Sequence, residues 1–176
     1  MVCKDVGFPD VTAVKIKTQT SSVIIYNLYC DCMYSDSLCD LKKHLQACTQ
    51  ARENREEDAE MIWLGNFNRH HPQWDDEQNT HLFTRSSLDE AQILINATID
   101  YNLQMTLPKR LPTLIAMLTG NYKRTDNVFI SSTLIERLIT CTTVPEGQPA
   151  KSNHFPINTT LELSPYHRKD TKIQFP

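Results

Sequence analysis

Residues 23–29 constrain the fold most, because their β-branched and aromatic side chains follow one another with almost no polar interruption. A strand of this composition is typical of the centre of a sheet that is covered on both faces. The preceding residues, 11–18, alternate Val14 and Ile16 with lysines, which predicts a strand with one buried face and one solvated face. The two strands are expected to form a hairpin with a turn at residues 19–22.

Two segments show helical spacing. Ser35 and its neighbours supply N-cap chemistry for an amphipathic helix over residues 37–51, whose apolar positions are Leu38, Leu41, Leu45 and Cys48. Residues 52–60 are nearly all charged and predict a solvated helix end and loop. Ser87 and Glu90 have capping-box spacing for a second helix that ends near residues 101–102. The predicted core face of that helix is Leu88, Ala91, Leu94, Ile95 and Ile99.

The remaining apolar runs predict short strands. They lie at residues 61–64, where Gly65 indicates a sharp bend, and at residues 103–107, 127–131 and 156–163. Strands therefore alternate with helices, and the order β-β-α-β-α-β-β-β predicts an α/β fold of layered type.

Length and charge narrow the class of protein. The 176 residues are expected to form one domain over residues 1–163, followed by a C-terminal tail at residues 164–176. No apolar run approaches the ~20 residues of a membrane span, and the first residues lack the features of a secretory signal. We therefore expect an intracellular protein that is neither secreted nor a membrane protein. The net charge of −3 argues against nucleic-acid binding through bulk charge alone.

Polar residues stand where the predicted strands end. In layered α/β folds such positions carry functional groups on a rigid support, although asparagine and aspartate also favour turns in their own right. The residues concerned are Tyr29, Asn66, Asn68, Asp126, Asn153 and His154.

Three segments in one order carry a family resemblance. They read Trp63-Leu-Gly-Asn-Phe-Asn-Arg-His-His-Pro-Gln-Trp-Asp75, Thr125-Asp-Asn-Val-Phe-Ile-Ser131 and Lys151-Ser-Asn-His-Phe-Pro-Ile157, with Pro112-Thr-Leu114 between the first two. Together they resemble the endonuclease/exonuclease/phosphatase superfamily, and within it the endonuclease domains of non-LTR retrotransposons found in fungal genomes. The resemblance covers residues 10–163 and implies a DNase-like α/β sandwich that cleaves DNA with Mg²⁺ or Mn²⁺.

The resemblance also implies roles for individual residues. His154 would contact the scissile phosphate, with Asp126 orienting and charging its imidazole. Asn68 would position the attacking water or the substrate phosphate, and the phenol of Tyr29 would donate a hydrogen bond to that phosphate. Arg69 would also reach phosphate.

Two residues depart from the family pattern. Asn66 and Asn153 stand where the family has aspartates that activate water or hold metal. An amide has nearly the shape of a carboxylate but carries no charge and accepts no proton, so the fold is expected to tolerate both changes while catalysis is weak or absent. The strand that bears the family's metal-binding glutamate is not recognised, and we expect a domain that is incomplete at its N-terminus.

Four functional hypotheses follow. The first is a metal-dependent endonuclease with residual activity, and the second is a decayed, non-catalytic scaffold that retains a nucleic-acid-binding face. A phosphatase of small phosphorylated ligands shares the expected fold, although the His-His-Pro-Gln-Trp segment favours a nuclease. An independent zinc site with candidate ligands His70, His71, Asp75 and Asp76 is the fourth, and it is disfavoured because adjacent histidines rarely converge on one ion without a well-spaced third ligand.

Overall fold

The structure is a computed structural model and describes residues 2–4, 6–17, 22–32, 34–52 and 59–163. The turn expected at residues 19–22, the charged stretch 52–60 and the tail 164–176 lie wholly or partly outside these ranges. The helices and strands are β1 (Val2–Lys4), β2 (Val11–Lys17), β3 (Ser22–Tyr29), α1 (Asp36–Arg52), β4 (Glu60–Asn66), α2 (Arg85–Asp100), β5 (Leu103–Met105), β6 (Leu114–Ile115), β7 (Tyr122–Lys123), β8 (Asp126–Ser131), β9 (Leu138–Thr143) and β10 (Ile157–Leu161). Short 3₁₀ helices occupy Glu77–Leu82, Ser132–Arg137 and Pro145–Gly147.

A six-stranded mixed sheet in the order β1-β2-β3-β4-β8-β5 forms the centre of the structure. The predicted hairpin is present, because β2 and β3 pair antiparallel from Val11 opposite Leu28 to Lys17 opposite Ser22. β3 and β4 are parallel, and the chain crosses between them through α1. The position of β3 between two partners confirms the prediction of a central strand.

Each face of the sheet carries its own apolar core. Ile24, Tyr26 and Leu28 of β3 contribute to the core that also contains buried residues of α1 and α2. Val23 of β3 belongs to the opposite core, with buried or partly buried residues of β4, β8, β9 and β10. Because successive side chains of a strand point to opposite faces, β3 separates a helical layer from a small antiparallel sheet of β9 and β10. This arrangement confirms the layered α/β fold.

Gly65 marks a close approach of two backbones and not the expected bend. β4 continues through Gly65 to Asn66 in unbroken register with β3 and β8. Gly65 has a φ of 131°, and a Cβ built there would lie 2.1 Å from the carbonyl oxygen of Leu28. Only a residue without a side chain therefore fits between these two strands.

Helix α2 differs from the prediction in two respects. Its N-cap is Thr84, whose Oγ1 accepts the N–H of Ser87, so the capping box based on Ser87 and Glu90 was wrong. Ile99, assigned to the core face, is 69% exposed because it lies on the outer side of the last turn. The sequence patterns also missed several strands, namely β1, β6, β7 and β9.

Candidate active site

Three of the sequence-predicted site residues lie in one row across the central sheet. Tyr29 at the end of β3 is paired in register with Asn66 at the end of β4, and Asn66 is paired with Asp126 at the start of β8. Residues directly opposite one another in adjacent strands share a face of the sheet. The row therefore lies on the face of the second core, just beyond its apolar residues, and Tyr29 is 53% exposed there.

Asp126 and His154 form a hydrogen-bonded pair beside this row. His154 Nδ1 lies 2.9 Å from Asp126 Oδ2, and because an ionised carboxylate only accepts hydrogen bonds, Nδ1 carries the proton. Asp126 is held in turn, since its backbone N–H donates to Thr113 Oγ1 at 3.1 Å and its carboxylate accepts from Thr125 Oγ1 at 3.2 Å. The His154 side chain remains 36% exposed. When the imidazole is charged, Nε2 donates as well, and the ring can then contact an anionic ligand.

A hydrogen bond links Asn66, the last residue of β4, to Asn68 in the turn that follows. Asn68 has a φ of 48°, and its N–H donates to Asn66 Oδ1 at 3.0 Å. The side-chain Nδ2 of Asn68 donates to the carbonyl oxygen of Cys30 at 2.7 Å. The turn after β4 is thus fixed by both amides, and Asn68 Oδ1 is the acceptor left for a ligand.

A cleft of about 530 Å³ opens beside Asn68 and Asn153. Asn68 comes from the turn after β4, Lys123 from β7, and Asn153 from the segment before β10, so the cleft gathers distant parts of the chain. Its lining includes Asn68, His70, Ser87, Glu90, Lys123 and Asn153. Asn153 is also fixed by its backbone, whose carbonyl oxygen accepts the N–H of Ile115 at 2.9 Å.

Arg69, for which a phosphate contact is expected, is among the residues that line the cleft, but its guanidinium is hydrogen-bonded within the protein. Only 2% of the residue is exposed. Its Nη1 donates to the carbonyl oxygen of Asp31 at 2.9 Å, and its Nη2 donates to that of Tyr34 at 2.7 Å and to Ser35 Oγ at 3.0 Å. It also lies 3.4 Å from Glu90 Oε2. We therefore leave Arg69 out of the proposed substrate contacts.

The donor set of the site does not fit a Mg²⁺ ion. Magnesium prefers charged oxygen ligands, whereas Asn66 and Asn153 are neutral and Asn66 Oδ1 already accepts a hydrogen bond. The nearby carboxylates are engaged, Asp126 with His154 and Glu90 with Ser35. Within the part of the chain that the structure describes, no three histidine, cysteine, aspartate or glutamate side chains come together.

The candidate zinc ligands are likewise engaged in hydrogen bonds within the protein. His70 Nδ1 lies 3.3 Å from Asp75 Oδ2, while His71 Nδ1 accepts the N–H of Gln73 at 3.1 Å. Asp76 Oδ1 caps the following 3₁₀ helix. His70 and Asp75 are thus paired with each other, whereas His71 and Asp76 have other partners.

Arg124 is a buried residue that the sequence patterns missed. Its Nη2 donates to Asn127 Oδ1 at 2.6 Å and to the carbonyl oxygen of Leu107 at 2.9 Å, and its Nη1 donates to the carbonyl oxygen of Trp74 at 3.3 Å. Burial lowers the pKa of Arg124 to about 10. The guanidinium joins three segments directly before Asp126 and so fixes the start of β8. The signal available in the sequence was an arginine placed two residues before a largely apolar strand.

The architecture defines the class of protein first: a DNase-like endonuclease/exonuclease/phosphatase fold. Within that class, the chain belongs to the endonuclease-reverse transcriptase family, whose model matches residues 23–158. The family resemblance carried by the three motifs is thereby confirmed. No curated protein matches the chain.

Several solved structures share the fold at low identity. The endonuclease domain of TRAS1, a telomere-specific non-LTR retrotransposon, is 13% identical with a TM-score of 0.62, over 89% of this chain and 65% of that one. The AP endonuclease LMAP from Leishmania major is 15% identical with a TM-score of 0.63, over 85% and 53%. A 3′ phosphatase, NExo, from Neisseria bound to a product DNA hairpin is 18% identical with a TM-score of 0.56, over 87% and 65%. The chain thus spans less than two thirds of the length of each.

Proposed function

We propose that this chain is a nuclease-type domain that binds DNA at the Asn68 cleft and hydrolyses phosphodiester bonds weakly. The family assignment supports the reaction class, and the neighbours that are nucleases support DNA as the partner. The single observation that carries the proposal is the pair of His154 and Asp126, 2.9 Å apart, next to the row of Tyr29 and Asn66.

The pair supplies charge where phosphodiester hydrolysis develops it. When water attacks phosphorus, negative charge grows on the non-bridging oxygens, and a charged imidazole held by Asp126 stabilises that charge. Tyr29 donates a hydrogen bond from its phenol to the same phosphate, and Asn68 offers Oδ1 to the attacking water. Each of these groups is held on or beside a strand, which limits the reorganisation needed on binding.

Weak hydrolysis follows from the two amides. In this family a divalent ion would assist the attack of water and stabilise the leaving oxygen. Asn66 and Asn153 offer such an ion no charge, and Asn66 accepts no proton from water. Loss of a general base alone lowers rates by roughly 10²–10⁴-fold.

A non-catalytic, nucleic-acid-binding scaffold is the second candidate. The observation that favours it is the hydrogen bond from Asn68 N–H to Asn66 Oδ1, because an amide there satisfies the fold without catalysis. A phosphatase of small ligands is less well supported, since the family model that matches this chain describes an endonuclease-reverse transcriptase.

Nicking of supercoiled plasmid tests the proposal. The purified chain is incubated with Mg²⁺ or Mn²⁺ and with EDTA, alongside His154→Ala and, as a control, His81→Ala, an exposed histidine outside the cleft. Slow nicking that requires His154 and not His81 supports the nuclease. Absence of nicking by a chain that still binds plasmid supports the scaffold, and nicking that survives His154→Ala contradicts the assigned site.

A further inference from the structure

A second histidine–aspartate pair has its histidine in the wall of the Asn68 cleft, whereas His154 and Asp126 are not among the residues that line this cleft. His70 lines the cleft, and its Nδ1 lies 3.3 Å from Oδ2 of Asp75, whose side chain is fully buried. Asp75 Oδ2 also accepts the N–H of His71 at 2.9 Å, while Asp75 Oδ1 has no hydrogen-bond partner. The proposed function makes no use of this pair.

The buried carboxylate fixes which ring nitrogen of His70 can meet a ligand. Asp75 accepts hydrogen bonds only, so His70 presents a protonated Nδ1 to it. Nε2, on the opposite side of the ring, has no hydrogen bond within the described residues, and the His70 side chain is 18% exposed. When the ring is charged, Nε2 donates a hydrogen bond that an anion can accept.

The loop around His70 is rigid on both sides. The guanidinium of Arg69 is bonded inside the protein, and the indole Nε1 of Trp74 donates to the carbonyl oxygen of Arg69 at 2.9 Å. The N–H groups of Trp74 and Asp75 both donate to the carbonyl oxygen of His71, at 3.1 and 3.0 Å. His70 is therefore held between fixed neighbours, which lowers the entropic cost of a contact through its ring.

The charges of the cleft favour an anionic ligand near His70. Lys123 lines the same cleft, and Glu90 is the one carboxylate among its described lining residues. The negative charge of Glu90 is offset, because Ser35 Oγ donates to it and Arg69 lies 3.4 Å away.

We propose that His70, oriented by Asp75, contacts a backbone phosphate of the bound DNA other than the one at His154. This inference rests on the proposed function for the identity of the ligand. It assigns to His70 the phosphate contact that sequence reasoning gave to Arg69, one position earlier. His70 is then a DNA-binding residue, whereas the contacts with the scissile phosphate are made by His154, Tyr29 and Asn68.

Salt-dependent DNA binding tests the contact without requiring cleavage. Fluorescence anisotropy of a labelled DNA hairpin is measured in EDTA at about pH 6, where an imidazole is substantially charged. The variants are His70→Gln and, as the matched control, His71→Gln. His71 stacks on Trp74 with ring centroids 5.2 Å apart and accepts from Gln73, so its ring is engaged within the loop.

Loss of one phosphate contact weakens binding and lowers its salt dependence. His70→Gln is expected to raise Kd on the order of tenfold at low salt and to reduce the slope of log K against log salt by about one, since each neutralised phosphate contributes ≈ 0.9. His71→Gln is expected to change neither. Asp75→Asn, which keeps the side-chain shape, should move both quantities in the direction of His70→Gln.

Each outcome decides the inference separately from the proposed function. If His70→Gln binds the hairpin with wild-type affinity and a wild-type salt dependence, the inference is overturned. The proposed nuclease activity is unaffected by that result, because plasmid nicking tests it separately. A changed affinity with an unchanged slope also overturns it, because that result indicates a structural effect. If DNA binding depends on His70 but the chain nicks no plasmid, the inference is supported and the proposed nuclease activity is contradicted. A wild-type chain that does not bind the hairpin overturns the inference directly.

Discussion

Restoring the two family carboxylates should raise the affinity of the site for a divalent ion. The variant is Asn66→Asp combined with Asn153→Asp. Asn66 is directly opposite Asp126 in the antiparallel pair of β4 and β8. A carboxylate at position 66 can keep the hydrogen bond from Asn68 N–H with one oxygen and offer the other to a cation.

The size of the effect follows from the spacing of that pair. Opposite Cβ atoms in an antiparallel ladder lie about 4.5–5.5 Å apart. Two like charges about 5 Å apart repel by ~3 kcal/mol at an effective dielectric constant of about 20 and by ~0.8 kcal/mol in water. The bond from His154 to Asp126 offsets part of this repulsion. Without metal, the variant should therefore be about 1–2 kcal/mol less stable, which lowers Tm by roughly 2–4 °C per kcal/mol.

A bound divalent ion reverses the sign of this effect. Ligand at about 100 times its Kd stabilises the folded state by ~2.7 kcal/mol, so Mg²⁺ or Mn²⁺ should raise Tm of the variant above its value in EDTA. The assay is thermal unfolding followed by circular dichroism, in EDTA and across a Mn²⁺ titration. Asn158→Asp is the control, because Asn158 is an exposed residue of β10 and the substitution adds one negative charge away from the site, against two in the double variant.

The control makes the reasoning refutable. If the double variant responds to Mn²⁺ no more than Asn158→Asp does, then positions 66 and 153 are not placed to share a cation. If the double variant has an unchanged Tm in EDTA, then the carboxylate introduced by Asn66→Asp does not lie close enough to Asp126 to be repelled by it.

Three shorter predictions test other parts of the structure. Gly65→Ala should destabilise the fold by more than about 3 kcal/mol in urea unfolding, because its Cβ would lie 2.1 Å from the Leu28 carbonyl oxygen, and a loss below 1 kcal/mol would contradict that clash. Thr84→Ala should cost about 1 kcal/mol through loss of the bond from Ser87 N–H, whereas Thr84→Ser should retain most of the stability. Burial lowers the pKa of His71 in the folded state, so its contribution to stability is complete above the ordinary histidine pKa and is lost as pH falls. His71→Gln should therefore show a smaller loss of unfolding free energy between neutral and mildly acidic pH than the wild type, and an equal loss would show that His71 does not contribute.

The fold was predictable where side-chain patterning alone determines the structure. The uninterrupted apolar run of β3 and the alternation of β2 identified a hairpin and a sheet covered on both faces. The missed strand β9 shows why this approach fails elsewhere. Half of its residues are threonine, and Ile139 within it is 65% exposed, so its structure depends on pairing with β10 and not on local alternation.

The site was predictable in part for a different reason. The sequence patterns placed Tyr29, Asn66 and Asp126 at strand ends, and the family resemblance paired Asp126 with His154; in the structure the three strand-end residues lie in one row and the pair is 2.9 Å apart. The direction of a side chain within a loop depends on its tertiary partners, which no spacing in the sequence encodes. Arg69 is the example, since its guanidinium is held inside by acceptors that lie more than thirty positions away.

The position of Asn66 opposite Asp126 gives this site a direction of evolutionary drift. Either an amide or a carboxylate at position 66 can accept the bond that closes the turn after β4, but only the carboxylate is repelled by Asp126, so asparagine favours the stability of the folded state more than the family's aspartate does. Stability and activity are thus in conflict at this position. A lineage released from selection for cleavage would accumulate the amide because it is favoured in folding, and the aspartate would persist only while cleavage itself is selected.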